Sequence, residues 1–331
     1  MLYVTPNSQD AAFHFSVETY FLEHFPLDQP LFMIWQADRC AMLGVNQVAA
    51  AEIDRDYAKR EQIQIVRRQS GGGTIYTDLD TLLYTLILPQ AEGDVREILR
   101  ETVAGPIVRA LNKLGIPAEL KGRNDILVAG KKVSGLAQYA RNGRVCTHGS
   151  LLYDADLDML AGVLQVDDEK IRSKAIRSIR SRVTNLREHM AGPVSTAAFW
   201  ALLAETLAQE WDMQTYTLTD TDLMKIDEIC REKYANPAWT FGRDPKFSFS
   251  SGKRFPAGKI EIFLDVAQGK ITACSICGDF LGAAPICGLE QVLTGRAFCR
   301  EAIADALARV DLQPYLGEIT QGQLLSCIFD K

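Results

Sequence analysis

Apolar residues recur along this chain at two spacings, and each spacing predicts its own elements. Residues 10–25 carry Phe13, Val17, Tyr20 and Phe21 three and four apart, the stripe of one helical face. Residues 94–114 do the same with Val95, Ile98, Leu99, Val103, Ile107, Leu111 and Leu114, and Gly115 is a natural stop. Residues 196–211 predict a strongly amphipathic helix, residues 220–234 a weaker one, and residues 300–310 a last one. Strand-length apolar runs lie at 31–35, 64–68 and 82–88, the last continuous enough for a strand buried on both faces. Residues 125–129 and 132–139 flank a tight turn at Gly130. Asn142-Gly143 then leads into a strand at 144–153, a strong short-range hairpin signal. Beyond Pro237 the texture changes: 259–266 and 271–277 flank Ala267-Gln268-Gly269-Lys270 as a second hairpin.

The chain has 331 residues, more than one ordinary core occupies, so two domains are expected. The boundary falls between 240 and 250, giving 1–243 and 244–331. Hydrophobic residues make up 47% and charged residues 24%, the profile of a folded soluble chain rather than a disordered one. A net charge of -6 argues against nucleic acid as the main partner, because phosphate binding wants a basic face. The first residues show no secretory pattern, and no apolar run nears the ~20 residues of a membrane span. A cytoplasmic location follows, and there the eight cysteines are thiols unless they bind metal or react.

Three segments could carry chemistry. In Arg67-Arg68-Gln69-Ser70-Gly71-Gly72-Gly73-Thr74 the glycines let a ligand approach backbone N–H groups, and the arginines add forked donors for carboxylate or phosphate. A flexible surface loop with solvated arginines is the plain alternative. No Gly-Lys-Ser/Thr follows, so this is not a P-loop. In Gly122-Arg123-Asn124-Asp125 the aspartate begins a strand and can hold a hard cation such as Mg²⁺. Lys131 and Lys132 on the returning strand alternate, so one can enter a pocket while its neighbour stays in water. Residues 171–187 bring Arg172, Lys174, Arg177, Arg180, Arg182 and Arg187 with no acid up to Leu186, either a solvated face or a loop that closes over phosphates. His148, in Thr147-His148-Gly149-Ser150, reads as a hydrogen-bonded strand residue rather than a metal ligand. Cys274 and Cys277 have a zinc-like spacing. They stand three apart on a strand, however, and so face opposite ways, which favours buried thiols.

Together and in this order, GVNQVAAAEID, RRQSGGGTIYTDL, GRNDILVAGKKVSGLAQ, THGSLL and IRSIRSRVTNL resemble the lipoate–protein ligase family over nearly the whole chain. FGRDPKF, GDFLG and the closing helix are similar to that family's accessory domain. The resemblance implies an α/β (α+β) catalytic domain with a mixed, largely antiparallel sheet, followed by a small α+β domain. It also implies a two-step reaction. ATP and lipoate (or octanoate) give an acyl-adenylate, and a lysine of a lipoyl carrier domain, on an E2 subunit or a glycine-cleavage H-like protein, then takes the acyl group. By resemblance Lys132 lies between acyl carbonyl and α-phosphate, and Asn124 and Asp125 hold the phosphate side and Mg²⁺. Arg68, Ser70 and the Gly71-Gly72-Gly73 backbone line the acyl-adenylate site with Ile75, Tyr76 and Ala137, and His148 is close by. Arg177 and Arg180 belong to the adenylate-binding loop. Gly122, Ser134 and Gly135 shape the pocket rather than react.

The chain departs from the family pattern at Thr77 (commonly His), Asp80-Thr81 (Gly-Asn), Leu136 (small or polar), and Val45 and Val48, where an arginine and an asparagine are expected. These changes bear on acyl chain, carrier or rate, and suggest a specialised paralogue with a narrow carrier. Three rivals remain on sequence grounds: an ATP-independent lipoyl or octanoyl transferase using Cys146, a non-catalytic binder of lipoyl groups or carrier, and a biotin ligase, whose basic signature is missing.

Overall fold

Asp10 starts the first helix, its carboxylate accepting the Ala12 N–H at 2.9 Å, and Ala11–Glu23 follow. The computed structural model describes residues 1–89, 97, 99–122, 124–164, 181–192, 194–242, 249–267 and 269–330. The chain divides into two compact units. The first comprises Met1–Met42, Ile53–Val66 and Ile75–Pro237; the second Leu43–Glu52, Arg67–Thr74 and Ala238–Lys331. The second unit is therefore assembled from three stretches of chain, two of them far upstream of the sequence boundary.

Among the described residues, the first unit is built on an eight-stranded sheet. Its strands are β1 (Leu2–Val4), β2 (Leu31–Trp35), β6 (Thr81–Leu88), β7 (Ala118–Lys121), β8 (Asp125–Val128), β9 (Lys131–Arg141), β10 (Arg144–Leu152) and β11 (Gln214–Thr215). A smaller sheet takes β3 (Cys40–Leu43), β4 (Gln64–Arg67) and β5 (Ile75–Thr77). The large sheet runs β11-β1-β2-β6-β10-β9-β8-β7. β1 is parallel to β2 and β11, and the other pairings are antiparallel, so the sheet is mixed and largely antiparallel as expected. Adjacent antiparallel strands need only tight turns. Asn142 (φ 52°) and Gly143 (φ 77°) supply one, and Ala129 (φ 49°) and Gly130 (φ 75°) the other, which brings Lys132 opposite Leu127 and Gly135 opposite Asp125, the first residue of β8.

The continuous apolar runs of β2 and β6 are explained by burial on both faces. Phe32, Ile34, Leu82, Tyr84 and Leu86 point to a core shared with Ile107 and Leu111 of the helix Gly105–Lys113 and Phe199, Leu203 and Leu207 of the helix Thr196–Ala208. Tyr153 stacks on Phe199 at 4.3 Å. Truncating an aromatic ring buried like Phe199 costs roughly 3–5 kcal/mol, transfer and cavity together. The opposite face receives the first helix, where His14 stacks on Trp35 at 4.5 Å and Thr85 donates to Glu18 at 2.7 Å. This helix is buried almost all round. Phe13, expected on its inner stripe, is only half-buried, whereas the polar His14, Ser16, Glu18 and Thr19 are buried.

Two predicted helices change pitch. The described part of 94–114 is a π-helical turn, Leu99–Ala104, followed by an α-helix, Gly105–Lys113. Pro106 has no N–H to continue an i→i−4 ladder, so the wider turn ends where it enters. Residues 220–234 split into an α-helix, Asp220–Ile229, and a π turn, Cys230–Tyr234, whose Tyr234 hydroxyl is hydrogen-bonded to Thr19 Oγ1 at 2.7 Å. The helices predicted at 196–211 and 300–310 stop early, at Ala208 and Leu307.

In the second unit, β12 (Phe249–Phe255), β13 (Gly258–Ala267) and β14 (Lys270–Gly278) form an antiparallel meander, with Ala267 opposite Lys270 at the predicted hairpin. Ile260, Ile262, Leu264 and Ile276 pack on Leu289, Ile303, Leu307 and Leu324 of the helices that follow. β1, β3, β5, β7, β11 and β12 are not predicted by the sequence pattern: most are two to four residues long, too short for a period to register.

Candidate functional site

The predicted site residues fall into two groups, one in each unit. In the first, Lys132 Nζ lies 2.7 Å from Asp125 Oδ1, and both side chains are 39% exposed, so the pair reaches solvent while Lys131 stands fully outside. The β8–β9 ladder slips at Ile126/Leu127: Lys132 opposes Leu127, but Ser134, not Val133, opposes Ile126. Ser134 is buried, its hydroxyl 3.0 Å from the Tyr84 phenol, which burial raises well above its ordinary pKa. Gly149 leaves room for that phenol, since a methyl group there would lie 2.4 Å from Tyr84 Oη. Asn124 is hydrogen-bonded twice to Leu136: its side-chain amide donates to the Leu136 carbonyl (2.6 Å) and its own carbonyl accepts the Leu136 N–H (2.9 Å). The Leu136 side chain is buried in the sheet core, which accounts for an apolar residue at that position. Ala137 is buried opposite His148. Ile75 is half-buried and Tyr76 buried on β5.

His148 Nδ1 lies 3.0 and 3.1 Å from the two Glu18 carboxylate oxygens. Glu18 also accepts from Thr85 Oγ1 at 2.7 Å and from the Tyr139 phenol at 3.4 Å, and Trp35 Nε1 donates to Thr85 at 3.1 Å. A carboxylate can only accept, so the Nδ1 hydrogen is on the histidine. Glu18, Cys146 and His148 hold their ligand atoms within 4.8 Å of one another, a donor set a metal could use. Glu18 is nevertheless satisfied by protein donors, which is what a buried carboxylate requires. Sequence reading missed it. The available signal was one glutamate among the aromatic residues of FHFSVETYF, four residues after His14 and so on the same helical face.

The second group is the glycine run. Arg67, fully buried, donates to five carbonyl oxygens: Gly44 (2.8 Å), Val45 (3.3 Å), Gln47 (2.6 Å), Trp239 (3.2 Å) and Thr240 (2.6 Å). It is a strut, not the anion-binding fork its position suggested. Arg68 braces the loop from inside, with Nε on Ser70 Oγ (3.0 Å) and Nη2 on the Gly71 and Gly73 carbonyls (both 2.8 Å). Ser70 is fully buried. Gly72 has φ 92° and donates its N–H to the Phe280 carbonyl at 3.2 Å; a methyl group at Gly71 would lie 2.5 Å from that same oxygen. The glycines thus serve close backbone packing as well as any ligand. Arg177 and Arg180 lie outside the described residues. After them, Val183 forms a parallel bridge with Lys132, and the Thr184 N–H donates to the Lys132 carbonyl at 3.1 Å.

Residues 10–208 match the Lipoyl protein ligase A/B catalytic domain, and residues 244–328 the Bacterial lipoate protein ligase C-terminus. The chain belongs to the lipoate–protein ligase family. Lipoate-protein ligase LplJ of Bacillus subtilis (strain 168) is 37% identical over 99% of this chain and 100% of its own length. Among solved structures, a bipartite lipoate protein ligase of Thermoplasma acidophilum, described with its E2 lipoyl domain, superposes with a TM-score of 0.68 at 28% identity. It covers 75% of this chain and 98% of its own. A lipoate-protein ligase A bound with ATP gives 0.61 at 27% identity, covering 73% and 97%.

Membership in a ligase family fits what the geometry does with Cys146. That thiol is fully buried. Burial first, then the Glu18 carboxylate, pushes its pKa well above the ordinary range, so the nucleophilic thiolate is suppressed. A transferase that carries the acyl group on Cys146 is not favoured. Of the departures from the lipoate–protein ligase pattern, Asp80 accepts a hydrogen bond from Thr196, while Thr77 is buried opposite Cys40 with its hydroxyl unpartnered among the described residues. No described helix is long and apolar enough to cross a membrane.

Proposed function

We propose that this chain activates lipoate or octanoate with ATP, releasing pyrophosphate, and then transfers the acyl group from the adenylate to a carrier-domain lysine, releasing AMP. The observation that carries the reading is the Lys132 ammonium. It is held on Asp125 at 2.7 Å, its side chain 39% exposed, next to the buried Val133 and Ser134 of the same strand. A carboxylate is a poor electrophile, and adenylation gives it a good leaving group. Negative charge then develops on carbonyl and phosphate oxygens, where a compact, pre-positioned cation is most effective. The family assignment and the ATP-bound ligase relative support the same chemistry.

In this reading Lys132 stabilises the reacting carbonyl and α-phosphate, and Asn124 and Asp125 face the phosphates. Asp125 is the residue that would hold Mg²⁺, an ion that neutralises phosphate charge. It offers hard oxygen and is accessible. Arg68, Ser70 and the Gly71-Gly72-Gly73 backbone bind the adenylate, as do Arg177 and Arg180. Ile75, Tyr76, Ser134, Ala137 and His148 shape the acyl pocket. Residues 1–243 form the catalytic domain and 244–331 the accessory domain. The carrier is a lipoyl domain of an E2 subunit or a glycine-cleavage H-like protein, and the enzyme works in the cytoplasm. The archaeal relative, described with its E2 lipoyl domain, favours the former carrier class. The test is pyrophosphate release from ATP with lipoate, then octanoate, before any carrier is added. Acid-dependent release is the expected result. ATP and lipoate binding without release would overturn the ligase reading in favour of a non-catalytic binder.

A further inference from the structure

Lys132 and Gly135 are three residues apart on β9, and in a regular strand their side chains would point to opposite faces of the sheet. They do not. Between them the register advances one residue on β8 (Leu127 to Ile126) while β9 advances two (Lys132 to Ser134), so Val133 is an extra, bulged residue. The bulge sends both Val133 and Ser134 inward, 0% and 1% exposed, and returns Lys132 to the same face as Gly135 and its register partner Asp125. The lysine side chain lies over Gly135. A methyl group at that position would be 2.8 Å from Lys132 Nζ, 2.9 Å from Cε and 3.9 Å from Asp125 Oδ1.

Nothing in the backbone demands a glycine there. Gly135 is not among the residues of positive φ, and a glycine inside a strand is weaker than alanine because it loses more chain entropy and packs nothing. We propose that Gly135 is a positioning residue for activation. Its missing side chain, together with the Val133 bulge, forms the seat that holds the Lys132 ammonium beside Asp125. The proposal rests on the reading of Lys132 as the activating cation. A methyl group at 135 pushes the lysine head aside by on the order of 1 Å, because its 2.8 Å approach to Nζ must open to an ordinary contact, and it meets no sheet backbone.

The experiment compares Gly135→Ala, Lys132→Ala and the double variant, each measured for thermal unfolding and for acid-dependent pyrophosphate release. Gly135→Ala is expected to unfold at the same or a higher temperature. Its kcat should fall on the order of 10²-fold, the scale of a ~1 Å misplacement of a reacting group. In the Lys132→Ala background the same change should cost no further activity, because the group it displaces is gone. Full activity in Gly135→Ala alongside an inactive Lys132→Ala overturns the seat and leaves the lysine's role standing. Full activity in Lys132→Ala overturns the lysine's role itself. If Gly135→Ala fails to fold with or without the lysine, the glycine serves the backbone alone and the proposal is wrong.

Discussion

Lys132 and Glu18 are both charged and both close to predicted site residues, yet their surroundings assign them different work. Among the described residues Lys132 is paired with Asp125, and it keeps an exposed flank, so its head can be removed without opening the core. Lys132→Ala should unfold like the wild type and lose about 10²- to 10³-fold in adenylation, the usual effect of deleting one electrostatic stabiliser of a transition state. Equal loss of stability and activity in a urea titration would show a structural residue instead. The approach of a hairpin lysine to Asp125 was legible in the sequence because the motif is local: a turn, two lysines and an aspartate within eight residues. Glu18 was not, because its partners Thr85, Tyr139 and His148 are 67, 121 and 130 residues away, and only the sheet brings them together. The bulge at Val133 was invisible for a third reason. Strict alternation is the default for a strand, and no residue type here announces an exception.

At the scale of the element, the first helix shows how burial overrides the amphipathic pattern that predicted it. Its position was readable from a three-four spacing, though the predicted 10–25 runs past the observed Ala11–Glu23 at both ends. Its apolar stripe was a poor guide to its contacts, since polar residues are buried too. His14 is one of these. Burial lowers its pKa to about 4, against pulls upward from a hydrogen bond to Ser8 and from nearby carboxylates. The unfolded chain, with an ordinary histidine near 6.5, therefore binds the proton more readily than the folded one between those two values. Stability from this group is complete above about pH 6.5 and is lost as the pH falls toward 4, by roughly 3 kcal/mol in all. Urea unfolding of His14→Gln and wild type across pH 4–8 should give curves whose separation shrinks on the acid side, because the variant lacks this titration. Parallel curves would mean that His14 does not carry the proton uptake. The two π turns belong to the same lesson. Pro106 marks one of them in the sequence, while the turn at Cys230–Tyr234 has no local signal, and its Tyr234 is tied to Thr19 of the first helix.

For the whole molecule, the sequence boundary at 243 and the architecture divide the chain differently. The meander and helices after residue 249 have their own core, which is why a texture change was visible there. Yet the second unit also contains Leu43–Glu52 and the glycine run Arg67–Thr74, tied to it by main-chain bonds: Gly72 N–H to Phe280 O, and Gly278 N–H to Asn46 O at 2.9 Å. Such ties between distant backbone atoms leave no periodic trace in the sequence. They do have a consequence for cutting the chain. Separating 1–243 from 244–331 should leave a C-terminal piece that folds and an N-terminal piece whose glycine run has lost its Phe280 acceptor. The N-terminal piece alone is then expected to release pyrophosphate at least about tenfold more slowly, the equivalent of ~1.4 kcal/mol. Mixing the two pieces should restore the rate, because the contacts that complete the unit are non-covalent and directional. Full activity in 1–243 alone would mean that the glycine run holds its shape through Arg67, Arg68 and the 43–52 segment without help from the C-terminal meander. No recovery on mixing would mean that the connection across 243–248 does more than join two folded parts.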